Sequence, residues 1–145
     1  TIKSKVKESD ILFDLFGGNG NLTAGLQNPT LVVDVYKSTP ASKWFQVFFN
    51  QDLYQPKAIA NIAQFYQKKP ELIIFDPPRS GVKNIDEFLK KFEPNQFIYI
   101  SCQFTSFTRD VKPILGEYKL TEVHIFDLFP GTHHFETVGI FTKNK

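Results

Sequence analysis

Apolar residues fall in short runs of strand length along most of the chain. They occupy 11–16, 31–36, 45–49, 72–75, 97–100, a segment around 120–129, and 138–141. Runs of this length, punctuated by Gly, Pro, Asn and Asp, read as β-strands. Between them the spacing changes to that of helices. One helix is expected from near Asn21 to near Gln27, and a short one near 41–45, before the third strand. Another spans about 56–68, with Ile59, Ile62, Ala63 and Tyr66 at helical spacing. Two more cover 85–92 and 105–115, and Pro70, Pro94 and Asn95 mark the returns to strand.

Strands alternating with helices predict a mostly parallel, doubly wound α/β sheet. No helical stretch separates the last two strands. A turn near 130–132 joins them directly, so they form an antiparallel pair. Five βα units followed by a β-hairpin is the ordering of the class I methyltransferase fold. That is a Rossmann-like, seven-stranded, mostly parallel sheet with a C-terminal antiparallel β-hairpin. Ligands of such sheets sit at the carboxyl ends of the strands, near the switch point. The residues after strands one, two, four and five are therefore the ones that carry chemistry.

At 145 residues, 41% hydrophobic and 22% charged, the chain suits one folded domain and not a disordered segment. No apolar run approaches the ~20 residues of a membrane helix. The basic N-terminal stretch has no apolar h-region, so no signal peptide is expected. Cys102 is the single cysteine, which excludes internal disulfides and zinc sites built from several thiolates. A net charge of +2 is too mild to mark a nucleic-acid footprint by itself. Sixteen phenylalanines point to a Phe-rich core, with base stacking open to a few of them.

Asp14-Leu15-Phe16-Gly17-Gly18-Asn19-Gly20-Asn21 follows the first apolar run. Glycines there allow positive φ and close approach of a ligand to the backbone. A nicotinamide dinucleotide fingerprint fails, because Thr23 stands where G-x-G-x-x-G needs its third glycine. A carboxylate at Asp14 would repel a pyrophosphate but suits the cationic amino-acid part of S-adenosylmethionine. Asp34, at the end of the second strand, is placed to accept hydrogen bonds from ribose hydroxyls. Asp52, after the third strand, is a candidate for the adenine amino group. The plainer alternatives are a solvated turn residue, a strand-end cap and a loop carboxylate.

Asp76-Pro77-Pro78-Arg79-Ser80-Gly81 follows the fourth strand. Two prolines end the strand and make a rigid loop, which presents Asp76 toward a planar base edge. A turn with a capping Asp is the alternative. Ser101-Cys102-Gln103 follows the fifth strand. Cys102 reads either as a small buried hydrophobe or as a nucleophile favoured by a helix starting nearby. Near the C-terminus, His133, His134 and Glu136 do not make a metal site, since His124 is the only other histidine. Glu136, just before an apolar strand, is a candidate general base.

Together these motifs resemble the RNA uracil-5-methyltransferase family. The matches are Asp14-Leu15-Phe16-x-Gly18-Asn19-Gly20-Asn21, Asp76-Pro77-Pro78-Arg79-x-Gly81, Ser101-Cys102, Thr108-Arg109-Asp110 and Phe129-Pro130-x-Thr132-x-His134-x-Glu136. The resemblance implies S-adenosylmethionine as cofactor, and tRNA or rRNA as partner, through an unpaired or flipped-out uridine. It implies Cys102 as the nucleophile on carbon 6, Glu136 as the base that removes the carbon 5 proton, and Asp76 as the holder of the uracil edge. Phe16, Gly18, Asn19, Gly20 and Asn21 would join Asp14, Asp34, Asp52 and Asp76 around the cofactor. Gly17, Gln103-Phe104 and Gly131 depart from the family pattern, which has Cys, Asn-Pro and His there. The resemblance covers a catalytic domain only, without the family's N-terminal RNA-binding and central domains. A cytoplasmic monomer with no membrane association is expected. Two rivals remain: an amino-group methyltransferase acting on a nucleic-acid base, and a degenerate domain that binds cofactor or RNA without turnover.

Overall fold

The computed structural model describes residues 2–36 and 43–145. Seven strands form one sheet: β1 Leu12–Leu15, β2 Thr30–Asp34, β3 Gln46–Asn50, β4 Leu72–Phe75, β5 Gln96–Ser101, β6 Tyr118–Phe126 and β7 Glu136–Lys143. Their order is β3-β2-β1-β4-β5-β7-β6. Strands β1 to β5 run parallel, and β7 runs antiparallel to both β5 and β6. The expected mostly parallel sheet with its terminal antiparallel pair is therefore present, with β7 inserted between β5 and β6. Strand order reverses at β1, with β2 and β3 on one side and β4 onward on the other.

Central strands β1 and β4 are buried at every position, as a parallel sheet covered on both faces requires. Three α-helices stand among the described residues: α1 Ala58–Phe65, α2 Ile85–Phe92 and α3 Phe104–Val111. In α2, Ile85, Phe88, Leu89 and Phe92 are buried, at spacings of i, i+3, i+4 and i+7. Asp86 and Glu87 occupy its first turn, and Lys90 and Lys91 its last, which matches the helix dipole. The helix stops where Glu93 turns left-handed (φ 49°), with Pro94 next.

All three helices feed one large core. Within it the rings of Phe88, Phe97 and Tyr99 meet Phe75 edge-on, at centroid distances of 5.9, 6.1 and 6.4 Å. Each such pair contributes about 0.5–1.5 kcal/mol beyond the area it buries. The expected Phe-rich core is observed in Phe13, Phe75, Phe88, Phe97 and Phe141, all fully buried. The opposite sheet face carries a smaller cluster of Leu12, Leu72, Ile74, Ile98 and Ile140. Ile2, Val6 and Leu26 pack on that cluster, and no described α-helix does.

Here the expected helices differ from the structure. Residues 21–27 form turns, not a helix. Gly25 and Thr23 are poor helix formers, and the Thr23 hydroxyl is held by Asp14 at 2.9 Å. Gln27 then turns left-handed at φ 56°. Of the short helix expected near 41–45, residues 41 and 42 lie outside the described residues. Residues 43–45 make a turn closed by Gln46 N donating to Lys43 O at 3.0 Å. The stretch 105–115 splits into α3 and a 3-10 turn, Lys112–Ile114, which contains Pro113. Among the described residues, no helix is long and apolar enough to cross a membrane.

Candidate active site

The carboxyl ends of β2, β1, β4 and β5 and the amino end of the antiparallel β7 lie side by side. Asp34 ends β2, and Phe16 follows β1. Asp76 follows β4, Cys102 follows β5, and Glu136 begins β7. Strand topology alone thus gathers residues that lie far apart in sequence.

After β1 the backbone turns through positive φ at Phe16 (62°), Gly18 (54°) and Gly20 (71°). A Cβ on Gly20 would stand 2.8 Å from Gln46 Nε2, so only glycine fits. Gln46 Nε2 donates to Gly20 O at 2.9 Å and to Thr23 Oγ1 at 3.0 Å. Gly18 N donates to Asp34 Oδ2 at 2.9 Å, and Tyr36 N to Asp34 Oδ1 at 3.0 Å. The acid of β2 therefore fixes the glycine turn of β1.

Beside this turn opens a cavity of about 500 Å³, lined by Phe16, Asp34, Asp52, Tyr54, Asp76 and Pro77 among others. The Phe16 and Tyr54 rings lie 5.4 Å apart, tilted by 50°. Asp14 lies fully buried beneath the turn, outside the cavity. Burial, with help from Asp76 and Asp34 and against the Thr23 hydrogen bond, pushes its carboxyl up to about 7. Its Oδ1 is buried with no hydrogen-bond partner. Asp76 is pushed up to about 6, first by burial and then by Glu136. A cationic ligand with hydroxyl or amino donors and a flat ring fits such a lining: carboxylates accept the donors, and an aromatic pair offers the ring an apolar wall.

A second cavity, of about 430 Å³, is lined by Arg79, Cys102, Phe129, His134, Phe135 and Glu136 among others. Antiparallel register pairs Ser101 with Thr137. The next residue on each strand end, Cys102 and Glu136, lines this cavity. Cys102 is half-buried and stands two residues before α3. The loop after β4 is the wall between the two cavities, with Asp76 and both prolines lining the first and Arg79 the second.

Of the residues expected around a cofactor, Phe16, Asp34, Asp52 and Asp76 come together in the first cavity. Gly18 lines a smaller adjoining one with Asp34 and Asn50. Asn19 and Asn21 are exposed on the turn, outside all three. Asp52 also caps its own turn, accepting from Tyr54 N at 2.9 Å. No group of three potential metal ligands occurs among the described residues. Tyr54 escaped the sequence reading; the signal available was an aromatic residue two positions after a strand-end acid.

The sequence profile of the tRNA (uracil-5-)-methyltransferase family matches residues 59–145. A 23S rRNA (uracil(1939)-C(5))-methyltransferase of Shewanella sediminis is 30% identical over 149 residues, covering 94% of this chain and 33% of that protein. A 23S rRNA (uracil(747)-C(5))-methyltransferase of a Shewanella species is 42% identical over 79 residues, covering 54% of this chain and 20% of that protein. The chain spans about a third of the length of the curated relatives it matches over nearly its full extent. Among solved structures, the Pyrococcus abyssi tRNA (uracil-54, C5)-methyltransferase in complex with S-adenosyl-L-homocysteine superimposes with a TM-score of 0.65. The match is 21% identical and covers 97% of this chain and 36% of that one, a likeness of fold.

Proposed function

The chain belongs to the tRNA (uracil-5-)-methyltransferase family, and on that premise we propose that it transfers a methyl group from S-adenosylmethionine to carbon 5 of a uridine in tRNA or rRNA. The reaction passes through a covalent cysteine–uracil intermediate, and the 145 residues act as one monomeric catalytic domain. One observation carries this reading. Cys102 and Glu136 share a cavity at facing strand ends, and its wall, the Asp76–Arg79 loop, is shared with the carboxylate-lined cavity.

S-adenosylmethionine, when bound, supplies a methyl group made electrophilic by its sulfonium. The chain's residues would hold it: Asp34 would accept from ribose hydroxyls, Asp52 from the adenine amino group, and Phe16 and Tyr54 would form an apolar wall for the ring. Asp14, buried beneath the turn with one unpartnered oxygen, would act on the cationic amino group from outside the cavity, as a charge favoured by that cation. Asp76 accepts a hydrogen bond from the uracil edge.

Carbon 5 of uracil is a weak nucleophile. The Cys102 thiolate bonds to carbon 6, and the C5–C6 π electrons move toward the carbonyl at carbon 4. The resulting enolate would take the methyl group on carbon 5: the C5–CH3 bond forms as the S–CH3 bond breaks, the bonding pair stays on sulfur, and S-adenosylhomocysteine leaves. The Glu136 carboxylate then takes the carbon 5 proton. The electron pair of that C–H bond restores the C5–C6 double bond, the C6–S bond breaks, and Cys102 leaves as thiolate. A base inside a duplex cannot reach both cavities, so the target uridine is unpaired or flipped out.

The test is incubation of the protein with S-adenosylmethionine and tRNA or 23S rRNA transcripts containing 5-fluorouridine. Fluorine replaces the hydrogen that Glu136 removes, so the adduct should persist on denaturing gels. Cys102→Ala should form none. An adduct that survives in Cys102→Ala overturns the role of Cys102. Methyl transfer that survives in Cys102→Ser favours an amino-group methyltransferase, and binding without turnover favours a degenerate domain.

A further inference from the structure

The loop after β4 is held far more firmly than a chain reversal needs. Gly81 N donates to Pro78 O at 2.9 Å and already closes the turn. Four consecutive residues are nevertheless each tied to a side chain. Ser106 Oγ donates to Arg79 O at 2.7 Å. Arg109 Nη2 donates to Ser80 O at 2.6 Å. The Tyr54 hydroxyl donates to Gly81 O at 3.0 Å. Val82 N donates to Asp110 Oδ2 at 2.6 Å. Three of these four side chains belong to α3, the helix that starts two residues after Cys102.

Asp110 is the centre of this arrangement. It is 1% exposed and also accepts from the Tyr99 hydroxyl at 2.6 Å and from Arg109 Nε at 2.7 Å. A carboxylate so buried is stable only when its oxygens are filled this way. Gly81 makes the close approach possible. Its φ is 73°, and a Cβ there would overlap the Asp110 carboxylate. The Thr108-Arg109-Asp110 motif thus has a defined target, which is the backbone of the loop that carries Asp76 and Arg79.

We propose that Arg109 and Asp110 are positioning residues, which lock the Asp76–Val82 loop onto the helix that follows Cys102. Arg79 then faces the Cys102 cavity, and Asp76 the neighbouring one, in one fixed geometry. The proposal rests on the covalent reading above. A displacement of about 1 Å between reacting groups costs on the order of a hundredfold in rate, so slack in this loop registers in the chemical step.

Arg109 is 44% exposed in its side chain, and in Arg109→Ala the buried Asp110 keeps its bonds from Tyr99 and Val82. The intact protein is compared with Arg109→Ala and Arg109→Lys. The readouts are S-adenosylhomocysteine affinity by calorimetry, amide exchange at 79–82, and rates of adduct formation on 5-fluorouridine RNA across RNA concentrations. For Arg109→Ala the expected result is cofactor affinity within about twofold of wild type and faster exchange in the loop. Adduct formation at saturating RNA should be about 10–100-fold slower with the RNA half-saturation point unchanged, and Arg109→Lys should fall between. A merely structural residue would not split rate from half-saturation in this way. Adduct formation within about twofold of wild type, despite faster loop exchange, overturns the proposal. Absence of adduct in the wild type overturns the covalent reading and the proposal with it, so the wild-type lane tells the two failures apart.

Discussion

Thr23 Oγ1 donates to Asp14 Oδ2 at 2.9 Å, while the other oxygen of that carboxyl is buried without a partner. Asp14 is raised from an ordinary value near 3.8 to about 7, mainly by burial. Its folded-state pKa lies above its unfolded one, so the folded protein holds the proton more tightly. The associated stability is full below about pH 4 and is lost as pH rises through about 7. Asp14→Asn removes that dependence. Melting curves should show the variant gaining on wild type between pH 4 and pH 8, by roughly 2–4 kcal/mol at the upper end. A difference that stays flat across this range would refute titration of Asp14 there.

Glu136→Gln keeps the shape of the second cavity but removes the proton acceptor. Addition of Cys102 and methyl transfer should proceed, and elimination should stall. Ordinary uridine RNA should then accumulate as a covalent, already methylated complex, with turnover reduced about 10²–10⁴-fold. Mass spectrometry of the trapped complex decides it: an adduct without the added methyl group would place Glu136 earlier in the reaction.

Asp34 is the candidate ribose acceptor and also holds the glycine turn through Gly18 N. Asp34→Ala loses charged hydrogen bonds of about 1.5–3 kcal/mol each. S-adenosylhomocysteine affinity should fall at least about tenfold by calorimetry. Unchanged affinity would remove Asp34 from the cofactor site.

Tyr54→Phe keeps the ring against Phe16 but loses the hydroxyl that reaches Ser80 Oγ and Gly81 O, both at 3.0 Å. Cofactor affinity should change by less than about threefold, since these bonds are partly exposed and worth about 1 kcal/mol or less each. Tyr54→Ala removes the ring as well and should weaken binding about tenfold. Equal losses in the two variants would mean that the hydroxyl, not the ring, matters to the cofactor.

The parts of the molecule that a sequence can announce are those set by local pattern. β4 and α2 lie where the pattern puts them, because the Ile85–Phe92 stripe and the flanking Pro94 agree. Strand ends were legible for the same reason, and with them Asp34, Asp76, Cys102 and Glu136. The helix expected over 21–27 is absent where bonds from outside the segment intervene: Asp14 and Gln46 both bond the Thr23 hydroxyl. Asp110 is the clearer case. Its partner Val82 lies 28 residues away in the chain, and nothing local to Thr108-Arg109-Asp110 shows where that carboxylate goes.

Strand order also has a consequence for the layout of the site. Along the sheet edge come Asp52 after β3, Asp34 on β2, Asp14 on β1, Asp76 after β4, Cys102 after β5 and Glu136 on β7. Groups proposed for the methyl donor and those proposed for the acceptor never interleave, and only β4 with its loop belongs to both. Neighbouring strands stand about 4.8 Å apart, so a strand inserted beside β4 would carry the two halves out of reach of each other. The ladders β1–β2, β2–β3 and β1–β4 involve none of β5 through β7. The groups proposed to hold the donor thus keep their own ladders, independent of the strands that carry Cys102 and Glu136.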